Sequence, residues 1–400
     1  MHVAVLGAGV TGVTTAYYLS ERGFDVTIVD RADEVAAFTS HANGSQLSYS
    51  YTDSLAQPGF IKRIPGLVLG LDPAIRVASW KNLSLTPWGL SFLAQCTAEK
   101  AKANTLAVLD IALRSAELLN ELRASVDIDF DWRRPGKIAV FGTAEELEGA
   151  ATRAEWKRER GCDVRILDYD EALALEPALD AMQQRFAGAV YSPDDEVGDA
   201  CTFSAGLIDW LVENRGLRLR LGESVTGLRR AGGKVVGVET DRDGIDADAV
   251  VVCLGPWSGK LLRPQGIDPQ IYPIRGYSFT LPAGEAAPSV SITSVDKRVV
   301  FSLLGDRVRI AGFADFLGYR TDADERRQRT LLEIARELAP HAADYDAEPK
   351  HPWGGYRPVT PNGQPVVGAT AIEGLYLNTG HGILGWTLAC ATAKTVADAL

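Results

Sequence analysis

The chain has 400 residues, of which 46% are hydrophobic and 23% charged, close to the average for folded soluble proteins. This length fits two or three domains, and the composition excludes a disordered chain, a collagen-like repeat and a small disulfide-stapled protein. The net charge is −11 and the basic residues do not cluster, so the sequence gives no support for nucleic-acid binding.

The first thirty residues carry the most specific local pattern. An apolar run, His2–Leu6, is followed by a glycine-rich turn over residues 7–12 and by apolar residues at helical spacing up to Gly23. A second strand pattern, over residues 25–30, ends on an aspartate. The order strand, glycine-rich turn, helix, strand predicts a βαβ unit of the dinucleotide-binding type.

Each glycine of this turn has a distinct expected role. Gly7 permits the sharp turn, Gly9 lets the backbone approach a pyrophosphate at the helix N-terminus, and Gly12 lets helix and strand pack closely. Asp30 lies eighteen residues after Gly12, near the spacing of the acid that binds an adenosine ribose hydroxyl. A carboxylate there disfavours a 2′-phosphate, so NADP is not expected. These residues leave open which dinucleotide binds, and a turn without a ligand is the alternative.

Weaker patterns organise the remainder of the chain. Helical spacing predicts helices over residues 98–123, over residues 326–338 and at the C-terminus. Strand patterns occupy residues 217–254 and 271–313, and the glycine- and proline-rich stretch 349–365 predicts a loop.

This order of elements predicts an α/β protein of two domains between which the chain crosses several times. The Rossmann-type, dinucleotide-binding domain is expected to comprise residues 1–50, 195–260 and 350–400. Residues 51–194 and 261–349 are expected to form a sheet-rich substrate domain.

The sequence predicts no metal site. The chain has five cysteines, Cys96, Cys162, Cys201, Cys253 and Cys390. They have no C-x-x-C spacing, which supports neither a disulfide framework nor a zinc site. The acidic residues Asp194, Asp195, Glu196 and Asp199 also lack a closed ligand spacing, so a solvated loop is predicted there.

Four segments resemble the FAD-dependent D-amino-acid dehydrogenase (small subunit) family. They are residues 39–48, residues 191–199, residues 353–368 with the motif G-Y-R-P, and residues 375–387. The resemblance spans the whole chain and extends to a superfamily that includes D-amino acid oxidase, glycine oxidase and sarcosine oxidase. It implies a D-amino acid oxidase-type fold and FAD as the cofactor.

The resemblance implies that the glycine turn, the loop at residues 39–48 and the C-terminal glycine-rich segment hold FAD. The residues assigned to the cofactor are Gly7, Gly9, Val10, Thr11, Gly12, Asp30, Arg31, Ser40, His41, Asn43, Gly44, Gln46, Leu47, Val225, Gly255, Trp257, Gly380, His381, Gly382, Leu384, Gly385 and Trp386. Non-covalent binding is expected, because His41 stands one place from the superfamily's covalent histidine and no cysteine lies between Cys253 and Cys390.

Four residues are assigned to the substrate by the same resemblance. Arg357, in the motif G-Y-R-P, is expected to hold the substrate carboxylate with its guanidinium fork. His381 is expected beside the flavin or above the substrate amine, with a structural role as the alternative. Tyr51 and Tyr277 are expected to form walls of the pocket, with core packing as the alternative.

The implied reaction is oxidation of the Cα–N bond of a D-amino acid, with hydride transfer from Cα to flavin N5 and conversion of the imine to a 2-oxo acid. The protein contributes orientation and stabilisation of charge, so no strong base is expected. Electrons are expected to pass to a quinone or another carrier. Two alternatives stay open: an FAD subunit that oxidises secondary amines such as proline derivatives, sarcosine or opines with a partner subunit, and a non-catalytic dinucleotide-binding protein.

The sequence predicts a cytoplasmic location. Met1 leads directly into a strand pattern, and no apolar run approaches the ~20 residues of a membrane-spanning helix. Residues 60–69 mix basic and apolar side chains. This segment has two interpretations, a peripheral contact with the inner membrane and a partly buried loop under the substrate domain.

Overall fold

Two large β-sheets with helices packed on them dominate the computed structural model, which describes residues 1–77, 85–319 and 324–400. Within these residues the helices are α1 (Val10–Glu21), α2 (Phe60–Val68), α3 (Leu85–Leu93), α4 (Ala98–Ser125), α5 (Ala144–Arg158), α6 (Tyr169–Leu175), α7 (Ala200–Arg215), α8 (Ser258–Leu262), α9 (Glu325–Leu338) and α10 (Gly385–Ala399). The strands are β1 (His2–Leu6), β2 (Asp25–Val29), β3 (Gln46–Leu47), β4 (Ile75–Val77), β5 (Lys137–Phe141), β6 (Arg165–Leu167), β7 (Gly188–Ser192), β8 (Glu196–Val197), β9 (Arg218–Arg220), β10 (Val225–Ala231), β11 (Lys234–Thr240), β12 (Ile245–Asp246), β13 (Ala249–Val252), β14 (Tyr272–Pro282), β15 (Ser291–Ser294), β16 (Val299–Leu304), β17 (Arg307–Phe316), β18 (Lys350–Val359), β19 (Val366–Ala369) and β20 (Leu375–Thr379).

The first sheet has six strands in the order β19-β20-β13-β1-β2-β9. Strand β1 lies in its middle and runs parallel to both neighbours, β2 and β13. Such central parallel strands are covered on both faces, which explains why β1 and β13 are almost entirely apolar. Side chains from α1, α4, α7 and α10 share one core on this sheet. The predicted βαβ unit is therefore confirmed as β1-α1-β2.

The second sheet has nine strands, eight of them in the order β18-β14-β17-β16-β15-β5-β7-β6, with β4 also paired to β17. Its pairs are antiparallel except β15 with β5 and β17 with β4. The chain passes between the two sheets repeatedly. The residue boundaries of the two domains stay a prediction.

The helices predicted over residues 98–123 and 326–338 are confirmed as α4 and α9. A polar side chain caps the N-terminus of each, because helix N-termini leave backbone N–H groups without partners. Thr97 accepts a hydrogen bond from the backbone N–H of Lys100, and Asp324 accepts one from that of Arg327.

The loop predicted over residues 349–365 is wrong for its first half. Residues 350–359 form β18, which pairs antiparallel with β14. Proline is tolerated here because β18 lies at the edge of the sheet. The glycines make room for large neighbours, since a Cβ on Gly355 would lie 1.6 Å from the Trp353 ring.

The solvated loop predicted around residues 194–199 is wrong for three of its four acids, whereas Asp194 is exposed as expected. Asp195, Glu196 and Asp199 are buried, and each has a polar partner. Glu196 accepts a hydrogen bond from the Tyr49 hydroxyl, while Asp199 caps α7 and pairs with the buried guanidinium of Arg309 on β17 at 3.0 Å. These acids join the two sheets instead of facing solvent. Among the described residues, no group of three His, Cys, Asp or Glu side chains is placed to hold a metal ion.

Candidate active site

A large cavity lies between the carboxyl ends of β1 and β2 and one face of the nine-stranded sheet. Its volume is about 1230 Å³, more than the 300–1,000 Å³ typical of a site for one small ligand. Residues from both sheets line it, so ligands bound there contact both halves of the molecule. The cavity has a nucleotide end, a central loop and a substrate end.

The nucleotide end is built by the glycine turn. Gly7 has a φ of +108°, which L side chains rarely adopt, and a Cβ on Gly12 would lie 1.9 Å from the Gly7 carbonyl oxygen. Gly12 does not line the cavity but permits the close packing of helix and strand that the sequence predicted. Asp30 lines the cavity, and its Oδ2 accepts a hydrogen bond from the Ala8 N–H at 2.7 Å. Val10 and Thr11 also line this end.

An aromatic wall continues from the nucleotide end. The Arg31 guanidinium lies 4.6 Å from the ring centre of Phe38 and 4.3 Å from that of Trp257. The two ring centres are 5.1 Å apart, so the guanidinium lies against a pair of rings that also contact each other. Val225 and Gly255 line the cavity beside it. The sequence analysis missed Phe38, although its place just before the flavin loop could have indicated it.

The central loop, residues 39–48, is fastened to the nine-stranded sheet. The Ser302 hydroxyl donates to the Gly44 carbonyl at 2.9 Å, the Ser278 hydroxyl donates to the Ala42 carbonyl, and Arg309 donates to the Asn43 carbonyl. These bonds hold the loop as a rigid side of the cavity. The predicted cofactor residues that line the cavity here are Ser40, Asn43, Gly44 and Gln46.

Three other predicted cofactor residues lie outside the cavity wall. His41 points to the opposite side of the loop, where its ring centre lies 5.4 Å from that of His351 and its Nδ1 lies 3.9 Å from Cys201 Sγ. Leu47 is buried in the core, and Gly380 packs against Thr360. Gly382, Leu384, Gly385 and Trp386 line the cavity as predicted.

Arg357 dominates the substrate end. It lies on β18, lines the cavity, and donates from Nη1 to the Phe313 carbonyl at 2.6 Å. Within residues 1–77, 85–319 and 324–400, this is the one hydrogen bond of the guanidinium, which forms no ion pair. Burial lowers the pKa of its guanidinium to about 10, partly offset by Asp315. The remaining donors suit an anionic ligand, because a partly buried cation that has no paired carboxylate is stabilised by a counter-charge.

Gly276 on the neighbouring strand β14 makes room for this side chain. A Cβ at Gly276 would lie 2.4 Å from Arg357 Nη2. The antiparallel register pairs Gly276 with Gly355, two residues from Arg357. The missing side chain therefore lets the guanidinium lie flat against the sheet.

The hydroxyl of Tyr277 is engaged by charged neighbours. It donates to Asp315 Oδ2 at 3.0 Å and accepts from Arg76 Nη2 at 3.1 Å. Burial and the Asp315 carboxylate raise the pKa of this phenol. Tyr277 and Tyr51 both line the cavity, as the wall assignment predicted. The sequence analysis missed Lys137 and Phe313, although a lysine opening an apolar strand pattern was a signal for the first.

His381 lines the cavity but is only 3% exposed. Its Nε2 lies 3.0 Å from the Thr392 hydroxyl on α10, and that hydroxyl donates to the Leu388 carbonyl. Burial lowers the pKa of the imidazole to about 3, so the ring is neutral at physiological pH. This placement combines a structural bond with a position on the cavity wall.

His381 therefore makes the fold sensitive to acid. Its pKa is lower in the folded state than in the unfolded chain, so its contribution to stability is complete above pH 6.5 and is lost as the pH falls towards 3. Between pH 7 and pH 5 the free energy of unfolding is expected to drop by about 2 kcal/mol from this residue. Urea unfolding at the two pH values measures the drop, and His381→Gln is expected to remove it. An equal drop in the variant would contradict the assignment.

Three features define a Rossmann-type dinucleotide-binding oxidoreductase. They are the glycine turn of the βαβ unit, Asp30 directly after β2, and a cavity covered by a second sheet. The chain belongs to the FAD dependent oxidoreductase family, whose model matches residues 2–399. It is 40% identical over its full length to D-amino acid dehydrogenase 2 of Ralstonia nicotianae, covering 96% of that protein, and 39% identical to D-amino acid dehydrogenase of Paramagnetospirillum magneticum, covering 94%.

Solved structures share the fold. Glycine oxidase from Geobacillus kaustophilus superimposes with a TM-score of 0.77 at 22% identity, over 99% of this chain and 93% of that one. L-proline dehydrogenase from P. horikoshii gives a TM-score of 0.75 at 16% identity, over 99% and 92%. The predicted D-amino acid oxidase-type fold and the flavoenzyme class are confirmed.

FAD is the cofactor of this family, and the described residues fit it. The glycine turn leaves space for a pyrophosphate at the N-terminus of α1, since the nearest atom to a Cβ on Gly9 is Ser40 Oγ at 3.4 Å. Asp30 stands where the adenosine ribose is bound in this fold, and NADP is disfavoured there. The cavity continues from this end to Arg357, which gives room for a flavin and a small substrate.

Proposed function

We propose that the protein oxidises D-amino acids at the Cα–N bond, using FAD, and passes the electrons to a quinone or another carrier. The observation that carries this proposal is the partly buried Arg357 guanidinium on the cavity wall, whose other donors make no hydrogen bond to the described protein. A carboxylate is the group common to all amino acids, and an arginine fork binds it with defined orientation. The names of the relatives, D-amino acid dehydrogenases, support the choice of substrate.

The side chains of the substrate end then have separate tasks. Arg357 binds the carboxylate and decides which face of Cα is presented. Tyr51, Tyr277 and Phe313 form walls that limit water around the reacting carbon. His381 stays neutral and therefore adds no competing positive charge. FAD, when bound, supplies the hydride acceptor.

Steady-state turnover tests the proposal. The holoenzyme is assayed with D- and L-alanine, D-proline and sarcosine, using an artificial dye as electron acceptor and, separately, oxygen alone. We expect turnover of D-alanine with the dye, none of L-alanine, and much slower turnover with oxygen. Turnover of D-proline and sarcosine without turnover of D-alanine would contradict the proposal and would indicate an enzyme that oxidises secondary amines.

We also propose that α2 brings the cavity to a membrane surface where a quinone is available. Phe60, Lys62 and Arg63 line the cavity, whereas Ile61 on the same helix and Leu69 directly after it are 50% and 72% exposed. Basic and apolar side chains together suit an anionic lipid surface. No helix among the described residues is long and apolar enough to span a membrane.

A vesicle experiment tests the membrane contact. Leu69→Asp combined with Leu71→Asp is expected to reduce co-sedimentation with anionic vesicles at low salt on the order of ten-fold or more, because both leucines are 72% exposed and would lose apolar contact with lipid. Val212→Asp, on the exposed side of α7, is the matched control and is expected to bind like the wild type. Equal binding of all three proteins, or no binding of the wild type, would contradict the proposal.

A further inference from the structure

Lys137 is a buried lysine on the wall of the cavity. It opens strand β5 and is 4% exposed. Its Nζ donates to Gln46 Oε1 at 2.9 Å and to Ser48 Oγ at 3.0 Å, both in the central loop. The Nζ also lies 3.6 Å from the ring centre of Tyr51. Two hydrogen bonds and an aromatic face are the contacts that an ammonium group favours.

No carboxylate neutralises this ammonium directly. In the described part of the chain, Lys137 has no ion pair. The carboxylate with the strongest electrostatic effect on Lys137 is Asp195. Its Oδ1 accepts from the Ser50 N–H at 3.1 Å, and its Oδ2 is buried without a hydrogen-bond partner among the described residues. Burial lowers the pKa of Lys137 and raises that of Asp195, and the attraction between the two groups partly offsets both shifts.

The surrounding charges balance without Lys137. Lys157 and Arg153, both on α5, pair with the Asp53 carboxylate at 2.6 and 2.7 Å. The two cations of α5 together equal the charges of Asp53 and Asp195. Of these charged groups, Lys137 and Asp195 are then the two without an ion pair among the described residues. Lys137 lines the main cavity and Asp195 does not, so a negative charge in that cavity acts most directly on Lys137 and raises its pKa.

A second, small cavity beside Lys137 provides a path for a proton between this side chain and solvent. It has a volume of about 20 Å³, enough for one water molecule, and Lys137, Asp53 and Lys157 line it. Asp53 is 24% exposed and also lines the main cavity. This void has room for one water molecule between Lys137 and Asp53, a carboxylate that solvent reaches.

We propose that Lys137 is the proton-exchanging cation of the redox site, which takes up the proton lost by the substrate when a hydride passes to FAD. The proposal rests on the proposed oxidation of amino acids. The zwitterionic substrate loses one hydride and one proton and leaves as a zwitterionic imine. The hydride adds one negative charge to the cofactor, and the proton adds one positive charge at Lys137, so the charge of the cavity is unchanged. Because Lys137 contacts the central loop, it acts as a charge-balancing residue and not as a group that abstracts hydrogen from Cα.

Redox titration of the FAD holoenzyme tests this role without any amino acid. The midpoint potential is measured against pH with a reference dye, and its slope gives the protons taken up per two electrons. At alkaline pH, where the lowered pKa leaves Lys137 neutral in the oxidised protein, the wild type is expected to take up one proton more than Lys137→Met. Lys137→Arg keeps a permanent positive charge and therefore takes up no extra proton, so its proton count is expected to equal that of Lys137→Met. Its midpoint potential is expected to be higher than that of Lys137→Met, because the positive charge stabilises the reduced cofactor.

The control is Lys260→Met, which removes another cavity lysine lying against a tyrosine ring, that of Tyr319. This variant is expected to keep the proton count of the wild type. Lys137→Gln replaces the Met variant if the latter does not retain FAD. Equal proton counts in the wild type and in the Lys137 variants would overturn the proposal. Failure of the proposed function is seen separately, as a flavin that titrates normally but that no D-amino acid reduces.

Discussion

Replacement of Arg357 by Ala is expected to lower kcat/KM for D-amino acids by about 30-fold to several thousand-fold while FAD stays bound. The size follows from the loss of a buried, charge-assisted contact, which costs about 2–5 kcal/mol when one partner is truncated. The guanidinium has one hydrogen bond within the described protein, to the Phe313 carbonyl, so few protein contacts are lost. Rates measured across substrate concentrations, with the flavin absorbance as a check on loading, give the result.

Two further variants separate charge from geometry. Arg357→Lys keeps a positive charge but loses the fork, so its kcat/KM is expected to fall between those of the wild type and the Ala variant. Gly276→Ala keeps the arginine at position 357 but moves its guanidinium, because the new Cβ would lie 2.4 Å from Nη2. We expect a raised KM and unchanged FAD content for this variant. Turnover near the wild-type level in Arg357→Ala would remove the carboxylate assignment.

Replacement of Gly12 by Ala is expected to abolish FAD binding and to destabilise the fold. The new Cβ would lie 1.9 Å from the Gly7 carbonyl oxygen, which is backbone and cannot move aside without opening the turn. Overpacking of this kind costs typically 1–3 kcal/mol and here also displaces the N-terminus of α1. The flavin content of the purified protein and its thermal midpoint measure both effects.

Gly9→Ala is the matched control for this prediction. A Cβ at Gly9 meets only Ser40 Oγ, at 3.4 Å, so the fold tolerates it. Because this position faces the expected pyrophosphate, the variant should weaken FAD binding without lowering the stability of the apoprotein. Normal flavin content in Gly12→Ala would contradict the packing role of the turn.

The sequence predicted the nucleotide half well because its signals are local. The glycines at 7, 9 and 12 and the acid at 30 act within one βαβ unit, where spacing alone decides the geometry. The substrate half depends on pairing between distant strands. The room for Arg357 comes from Gly276, eighty-one residues earlier in the chain, through the register of β14 with β18.

The errors have the same origin. Residues 350–359 contain glycines and prolines that are typical of loops, but prolines suit an edge strand, and Gly355 leaves room for the Trp353 ring of the same strand. Asp195 and Asp199 were expected in solvent because no local pattern shows that Ser50 and Arg309 lie beside them. The sequence also does not show which way each side chain of the central loop points. It therefore could not distinguish His41, which faces away from the cavity, from Gln46, which lines it.

Anaerobic absorbance titration of the holoenzyme with D- and L-alanine tests the central claim most directly. The account predicts that D-alanine bleaches the flavin spectrum with one equivalent of product formed, and that L-alanine leaves it unchanged at the same concentration. A flavin that neither enantiomer nor any other D-amino acid bleaches, in protein with full cofactor content, would contradict it.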